Sequence, residues 1–212
     1  MYIPHHYTNT NLAEVKTFIE QNAFGILVHQ VEGRPWGTHI PLQLEKDDKG
    51  EAILVGHIAK ANPQGKYFTE DAEVLCIFNG PHAYVSSSWY QKEEVPTWNY
   101  IAVHVYGKLR VLDEAATMAS LHRLVAHYEK RVEQPIQLEN MSPKTLRQVK
   151  GVIGFTIAIT EIQAAYKLSQ TRPEDHEAIL KNLNQSETAD QMLAKTMERY
   201  LKNDKERPLQ NG

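Results

Sequence analysis

The chain has one cysteine among its 212 residues, which excludes an intrachain disulfide. Cys76 lies in the apolar run Val74-Leu75-Cys76-Ile77-Phe78 and reads as a small core residue of a reducing compartment. Nothing beside it would lower the thiol pKa, so no nucleophilic role is indicated. Apolar runs are short as well; none reaches the ~20 residues a membrane-crossing helix needs. The opening Met1-Tyr2-Ile3-Pro4-His5-His6-Tyr7 lacks the basic and apolar regions of a signal peptide, and a cytoplasmic protein is expected. Charge of neither sign dominates: 23 basic and 26 acidic residues leave a net charge of -3. Composition therefore gives no basic field for non-specific nucleic-acid binding. What remains is a chain long enough for one globular domain with a helical appendage.

Familiar catalytic signatures are missing too. The ten histidines are scattered, the close pairs being His5-His6 and His122 with His127. The second pair is separated by five positions and does not share a helix face as an i, i+4 pair would. No cysteine cluster or His-Glu motif accompanies them, and no metal site is expected. Ser86-Ser87-Ser88 lacks the Gly-x-Ser-x-Gly pattern of a nucleophile elbow. These serines read as hydrogen-bonding groups, and no catalytic residue is assigned.

Periodicity organises the chain into strands flanked by helices. Asn11 to Asn22 carries Leu12, Val15, Phe18 and Ile19 at helical spacing, with Asn11 as N-cap. Phe24–Val31 and Trp36–Leu44 read as a hairpin across Glu32-Gly33-Arg34-Pro35, and Asp47–Gly50 turns the chain into a strand over Ala52–Ile58. A short helix over Pro63–Thr69 is capped by Asn62. Further strands are expected over Glu73–Phe78, His82–Ser86, Asn99–Leu112 and Gly154–Leu168. The third of these has Ile101, Val103, Val105, Leu109 and Val111 on one face, and Gly107 at a bend or close approach. Asp113 caps a helix over Glu114–Arg131 built on Ala115, Met118, Leu121, Leu124 and Val125. After Pro173 the chain turns acidic and helical, ending in a polar tail from about Asp204. Seven hairpin-rich strands with helices match a small antiparallel β-barrel of α+β class rather than a doubly wound parallel sheet.

What is abundant is concentrated between Asn79 and Tyr100. This segment holds two of the three tryptophans, Trp89 and Trp98, with three tyrosines and a series of hydroxyls. Rings stack on the faces of a flat ligand and short polar groups fix its rim, so this is the leading ligand site. A second candidate is Gly56-His57-Ile58-Ala59-Lys60-Ala61-Asn62-Pro63-Gln64. A strand end opening into a short helix sets His57 and Lys60 beside free backbone N–H groups, an arrangement suited to phosphate. An ordinary capped turn with a solvated lysine explains the same residues equally well. Tyr166-Lys167-Leu168-Ser169-Gln170-Thr171-Arg172-Pro173 is similarly open between a second anionic contact and a solvated strand end.

Together these segments resemble the PaiB-type family, described as FMN-binding negative transcriptional regulators. The matching residues are Met1–Tyr7, Gly56-His57 through Asn62-Pro63-Gln64, Gly80-Pro81 through Trp89-Tyr90, Val95-Pro96-Thr97-Trp98-Asn99-Tyr100 and Lys167-Leu168-Ser169-Gln170. Ser87 stands where the family commonly has proline, and Thr171 where it commonly has asparagine. The resemblance spans Met1 to about Arg172 and implies an FMN-binding split barrel, homodimeric, with FMN at the subunit interface. It makes 1–172 the flavin domain and 173–212 a helical extension. More distantly the chain is similar to pyridoxamine-phosphate-oxidase-like flavoproteins. By that analogy His57, Ala59, Lys60 and Asn62 hold the cofactor phosphate. Thr97, Trp98, Asn99, Tyr100, Lys167 and Gln170 complete the implied cofactor-binding set.

The function so implied is negative regulation of protease-synthesis and sporulation genes. DNA enters as a partner only through that description, since no helix-turn-helix is evident. The alternative is a flavin-dependent oxidoreductase acting on a small molecule, for which His82, Tyr84 and Tyr90 are the candidate proton donors. A haem-binding split barrel, suggested by the histidines and the fold analogy, ranks third.

Overall fold

A computed structural model describes residues 1–186 and 188–205. Seven strands form one antiparallel sheet: β1 (Phe24–Val31), β2 (Arg34–Pro41), β3 (Gln43–Lys46), β4 (Ala52–Ala59), β5 (Ala72–Val85), β6 (Thr97–Val111) and β7 (Val152–Lys167). Their order is β2-β1-β5-β6-β7-β4-β3. The principal helices are α1 (Leu12–Gln21), α2 (Glu114–Glu129), α3 (Pro143–Leu146), α4 (His176–Gln185) and α5 (Thr188–Lys205). The polar tail expected from about Asp204 lies, beyond Lys205, outside the described residues.

The strand count matches the expectation, but through two compensating differences. The run expected over Trp36–Leu44 breaks at Leu42 into β2 and β3, and Leu42 donates its backbone N–H to Ala23 instead. Conversely, Glu73–Phe78 and His82–Ser86 are one strand, β5, which continues through Asn79-Gly80-Pro81. The β1–β2 hairpin pairs Val31 with Arg34, so its turn is Glu32-Gly33. Both residues take positive φ, 52° and 75°, as a two-residue turn between right-twisted strands demands.

Contacts divide the chain into two compact units. The first comprises Met1–Val15, Asn79–Val103 and the chain from Gln163, and the second Lys16–Phe78 and His104–Ile162. In the second unit, Leu27, Leu54, Cys76, Phe78, Phe155 and Ile157 are fully buried. Gly107 in β6 is a close approach, since a Cβ there would lie 2.4 Å from Ile157 Cγ2 and 2.6 Å from the Ala158 carbonyl. At the same strand's end Val111 is exposed, contrary to the expected inward face.

The buried face of α2 also differs from the periodic reading. Thr117, Ser120 and Leu121 are buried, whereas Ala115 is exposed. Gly154 explains this, because a Cβ there would meet Thr117 Oγ1 at 2.5 Å. The helix rests on the strand through small side chains, and small polar residues occupy positions that larger apolar ones would otherwise fill.

In the first unit, α4 and α5 contribute Ile179, Leu183, Leu193, Ala194 and Met197, all fully buried. The amino-terminal segment joins β7 through a bridge between Thr8 and Ala165 and a 3.0 Å hydrogen bond from Asn9 N–H to the Ala164 carbonyl.

Candidate functional site

In the second unit, β4 delivers the segment expected to face a phosphate. His57 lies within the strand opposite Gly154, half-buried, and desolvation holds its pKa below the ordinary histidine value. Ala59 and Lys60 are exposed. Four of the backbone N–H groups expected to be free are committed, however. Lys60 N–H donates to Gly151 (2.8 Å), Asn62 N–H to Ala59 (2.9 Å) and Gly65 N–H to Asn62 (3.1 Å). Gln64 N–H donates to Asn62 Oδ1 (3.0 Å). What Lys60 offers a ligand is therefore its ammonium, which has no carboxylate partner among the described residues.

Asn62 is committed on both sides. Besides capping, its Nδ2 donates to Thr38 Oγ1 (2.9 Å), and the Thr38 hydroxyl donates to Gln64 Oε1 (2.6 Å). Gln64 is fully buried, and its Nε2 reaches the Leu27 carbonyl at 3.3 Å. This Thr38-Asn62-Gln64 network locks β2 to the 3-10 turn Pro63–Tyr67. Sequence reasoning missed Gln64 because a polar residue in a turn carries no mark of burial.

In the first unit, β6 sorts the residues Thr97 to Tyr100 by strand alternation. Thr97 and Asn99 point to one face and Trp98 and Tyr100 to the other. On the first face, Thr97 Oγ1 accepts a hydrogen bond from Lys167 Nζ, which also lies 5.7 Å from the centre of the Tyr7 ring. Burial holds the Lys167 pKa below the usual lysine range. Asn99 is fully buried; its Nδ2 donates to Ser169 Oγ (2.8 Å) and contacts Met197 Sδ (3.5 Å).

The other face is open. Trp98 is 54% exposed and Tyr84 48%, and their rings meet edge-on at 6.2 Å. His82 is 6.2 Å from Trp98 on the same surface. Three rings thus form an aromatic surface along β5 and β6.

The block Lys167-Leu168-Ser169-Gln170 forms a turn. Ser169 has φ of 59°, a left-handed conformation costly for a non-glycine residue. Gln170 folds back on the chain, accepting from Leu168 N–H at 2.8 Å and donating to the Tyr166 carbonyl at 2.5 Å. The Ser169 carbonyl accepts from His176 Nε2 at 2.7 Å. The amide of Gln170 is thereby committed to its own backbone. Beyond the turn, Arg172 pairs with Glu94 at 2.9 Å and stacks 4.5 Å from the Tyr90 ring centre. The Tyr90 hydroxyl is buried without a hydrogen-bond partner.

No group of three or more His, Cys, Asp or Glu side chains suited to a metal ion occurs among the described residues. A cleft of about 690 Å³ opens in the second unit beside β3 and α2, and none of the expected site residues lines it. No described helix is long and apolar enough to cross a membrane.

Comparison with known proteins supplies the family context. A family profile described as a putative FMN-binding domain matches residues 1–161. The chain is 42% identical over 205 residues to the protease synthase and sporulation protein PAI 2 of Bacillus subtilis, covering 95% of this chain and 99% of that one. Among solved structures, it resembles the FAD and heme binding protein of Mycobacterium smegmatis, with TM-score 0.60 and 15% identity over 81% of this chain and 80% of that one. The flavocytochrome Anf3 of Azotobacter vinelandii gives TM-score 0.58 and 15% identity over 82% and 76%. At such identities these two establish the fold alone, that of the flavin-binding split barrels.

Proposed function

The chain belongs to the putative FMN-binding domain family, and on that premise we propose that it is a PaiB-type negative transcriptional regulator, cytoplasmic and homodimeric, whose FMN occupancy or redox state sets its regulatory output. The observation that carries the ligand part of this reading is the exposed ring surface of His82, Tyr84 and Trp98. A flat conjugated ring stacks on such a surface with little rearrangement. The donor set suits FMN further, with an unpaired ammonium at Lys60 and a hydroxyl-ammonium pair at Thr97 and Lys167. When bound, FMN supplies an electron-accepting ring.

The residues proposed to hold FMN are His57, Ala59 and Lys60 in the second unit and Thr97, Trp98, Tyr100 and Lys167 in the first. Asn62, Asn99 and Gln170, whose amides are committed, act by fixing the turns and the strand that present these side chains. The two faces at the start of β6 support the homodimer. One planar ligand cannot touch Trp98 and Lys167 from opposite faces of one strand, whereas a ligand between two copies can meet both. In this reading residues 1–172 carry the flavin contacts, and the helices after Pro173 complete the core of the first unit.

Titrating the apo-protein with FMN tests the reading. Saturable binding is expected, and Lys60→Ala should weaken it by about tenfold while leaving the dimer intact on a sizing column. Absence of saturable binding in the wild-type chain would sink the flavin reading; unchanged affinity in Lys60→Ala would remove the phosphate assignment alone. A mobility-shift series over salt concentration with promoter DNA tests direct regulation. The buried, unpartnered Tyr90 hydroxyl favours a second reading, a flavin-dependent oxidoreductase of small molecules. Robust NAD(P)H oxidation by the flavin-loaded protein would place that reading first.

A further inference from the structure

Lys167 is the last residue of β7, and its ammonium meets a neutral hydroxyl, Thr97 Oγ1, and the face of Tyr7. No carboxylate accompanies it among the described residues. The neighbouring cation of the same unit is treated differently: Arg172, with its side chain 25% exposed, is paired with Glu94 at 2.9 Å. A half-buried charge without a counter-charge is destabilising, and it creates a standing attraction for an anion brought in from outside. Desolvation, which already holds the lysine below its usual pKa range, strengthens that attraction by weakening the competition from water.

The donors available determine the kind of anion. A phosphate dianion is best held by several converging donors, such as a run of backbone N–H groups or an arginine fork. At the turn next to Lys167, the N–H adjacent to the lysine, that of Leu168, is taken by Gln170 Oε1, and Arg172 N–H by the Ser169 carbonyl. One ammonium, one of its hydrogens committed, suits a single delocalised negative charge. The Tyr7 ring face accommodates the ammonium when that charge is absent.

We propose that Lys167, steadied by Thr97 over the Tyr7 ring, holds the single negative charge that the flavin ring gains on two-electron reduction. This rests on the FMN reading above. Two electrons and one proton convert the neutral ring to a monoanion, and in the test dithionite is the electron donor and water the proton source. Lys167 thereby binds the reduced cofactor more tightly than the oxidised one and raises its potential. It acts on affinity and potential and transfers no proton itself.

The test is a pair of anaerobic titrations, with oxidised and with dithionite-reduced FMN, on the wild-type chain and on Lys167→Met and Lys167→Arg. Lys167→Met should weaken binding of reduced FMN about tenfold more than binding of oxidised FMN. For a two-electron couple that is a midpoint lowered by about 30 mV. Lys167→Arg, which keeps the charge, should hold the wild-type ratio within a few-fold. Equal weakening of both forms, or no change in either, overturns the proposal while leaving FMN binding in place. If the wild-type chain binds neither form, the FMN reading and this inference fall together. Should Lys167→Met fail to fold, Lys167→Gln reads out the same ratio with a polar side chain.

Discussion

At the residue scale, the positions that decide packing are small. Gly107 was legible in the sequence because a glycine inside a strongly patterned strand signals a bend or a close approach. The structure supplies the reason in the Ile157 methyl and the Ala158 carbonyl. Gly107→Ala should therefore cost about 2 kcal/mol, within the range for overpacking a dense core. Denaturant unfolding measures it, and an unchanged midpoint would contradict the close contact. Thr117 was not legible, since its burial depends on Gly154, a partner 37 positions away in the chain. Gln64 and Ser169 escaped for the same reason. A buried polar residue is marked by its hydrogen-bond partners, and those become neighbours only when the chain folds. Among the expected cofactor residues, Lys60 stands exposed, and most of the backbone around it is already hydrogen-bonded to itself.

At the element scale, strands with clear alternation were found where periodicity placed them, β1 at the same bounds. Boundaries failed where a local signal competed with tertiary pairing. Asn79-Gly80-Pro81 separates the two strands expected from the pattern, yet it continues β5 as a single strand. Leu42 lies in an apolar run, yet it leaves the ladder to bond Ala23. The helices after Pro173 are integral to the first unit. Ile179, Leu183, Leu193 and Met197 are fully buried there, each contributing on the order of 2 kcal/mol of burial. A chain ending after Arg172 should lose its cooperative thermal transition or go into inclusion bodies. A melt with wild-type midpoint would show that these helices are dispensable.

For the whole molecule, three histidines couple stability to pH. Desolvation lowers the pKa values of His29, His57 and His104, and the Nδ1 atoms of His29 and His104 are buried without partners. Because their folded values lie below the unfolded value of about 6.5, the unfolded chain takes up protons first as pH falls. Their contribution is fully present above that value and is lost as pH drops through the folded values. Melting temperature should accordingly fall between about pH 7.5 and about pH 5.5, and replacing all three with glutamine should flatten the slope. A wild-type melting temperature constant over that interval would exclude the coupling. The flavin reading was reachable from sequence through the resemblance of its blocks to the PaiB-type family; their rings and hydroxyls alone indicated only a site for a flat ligand. Strand alternation made the two faces legible as well; the burial of Asn99 was not, since its partners Ser169 and Met197 meet it only when the chain folds.

The start of β6 has a consequence for heredity. Four adjacent codons, Thr97 to Tyr100, spell one conspicuous word, but alternate letters answer to different selective pressures. Asn99 answers to a buried interior, where its amide bonds Ser169, and Trp98 to whatever settles on an open surface. A lineage that changes ligand can rewrite Trp98 and Tyr100 while leaving Asn99 untouched. The word would then look half conserved, though nothing in it had decayed.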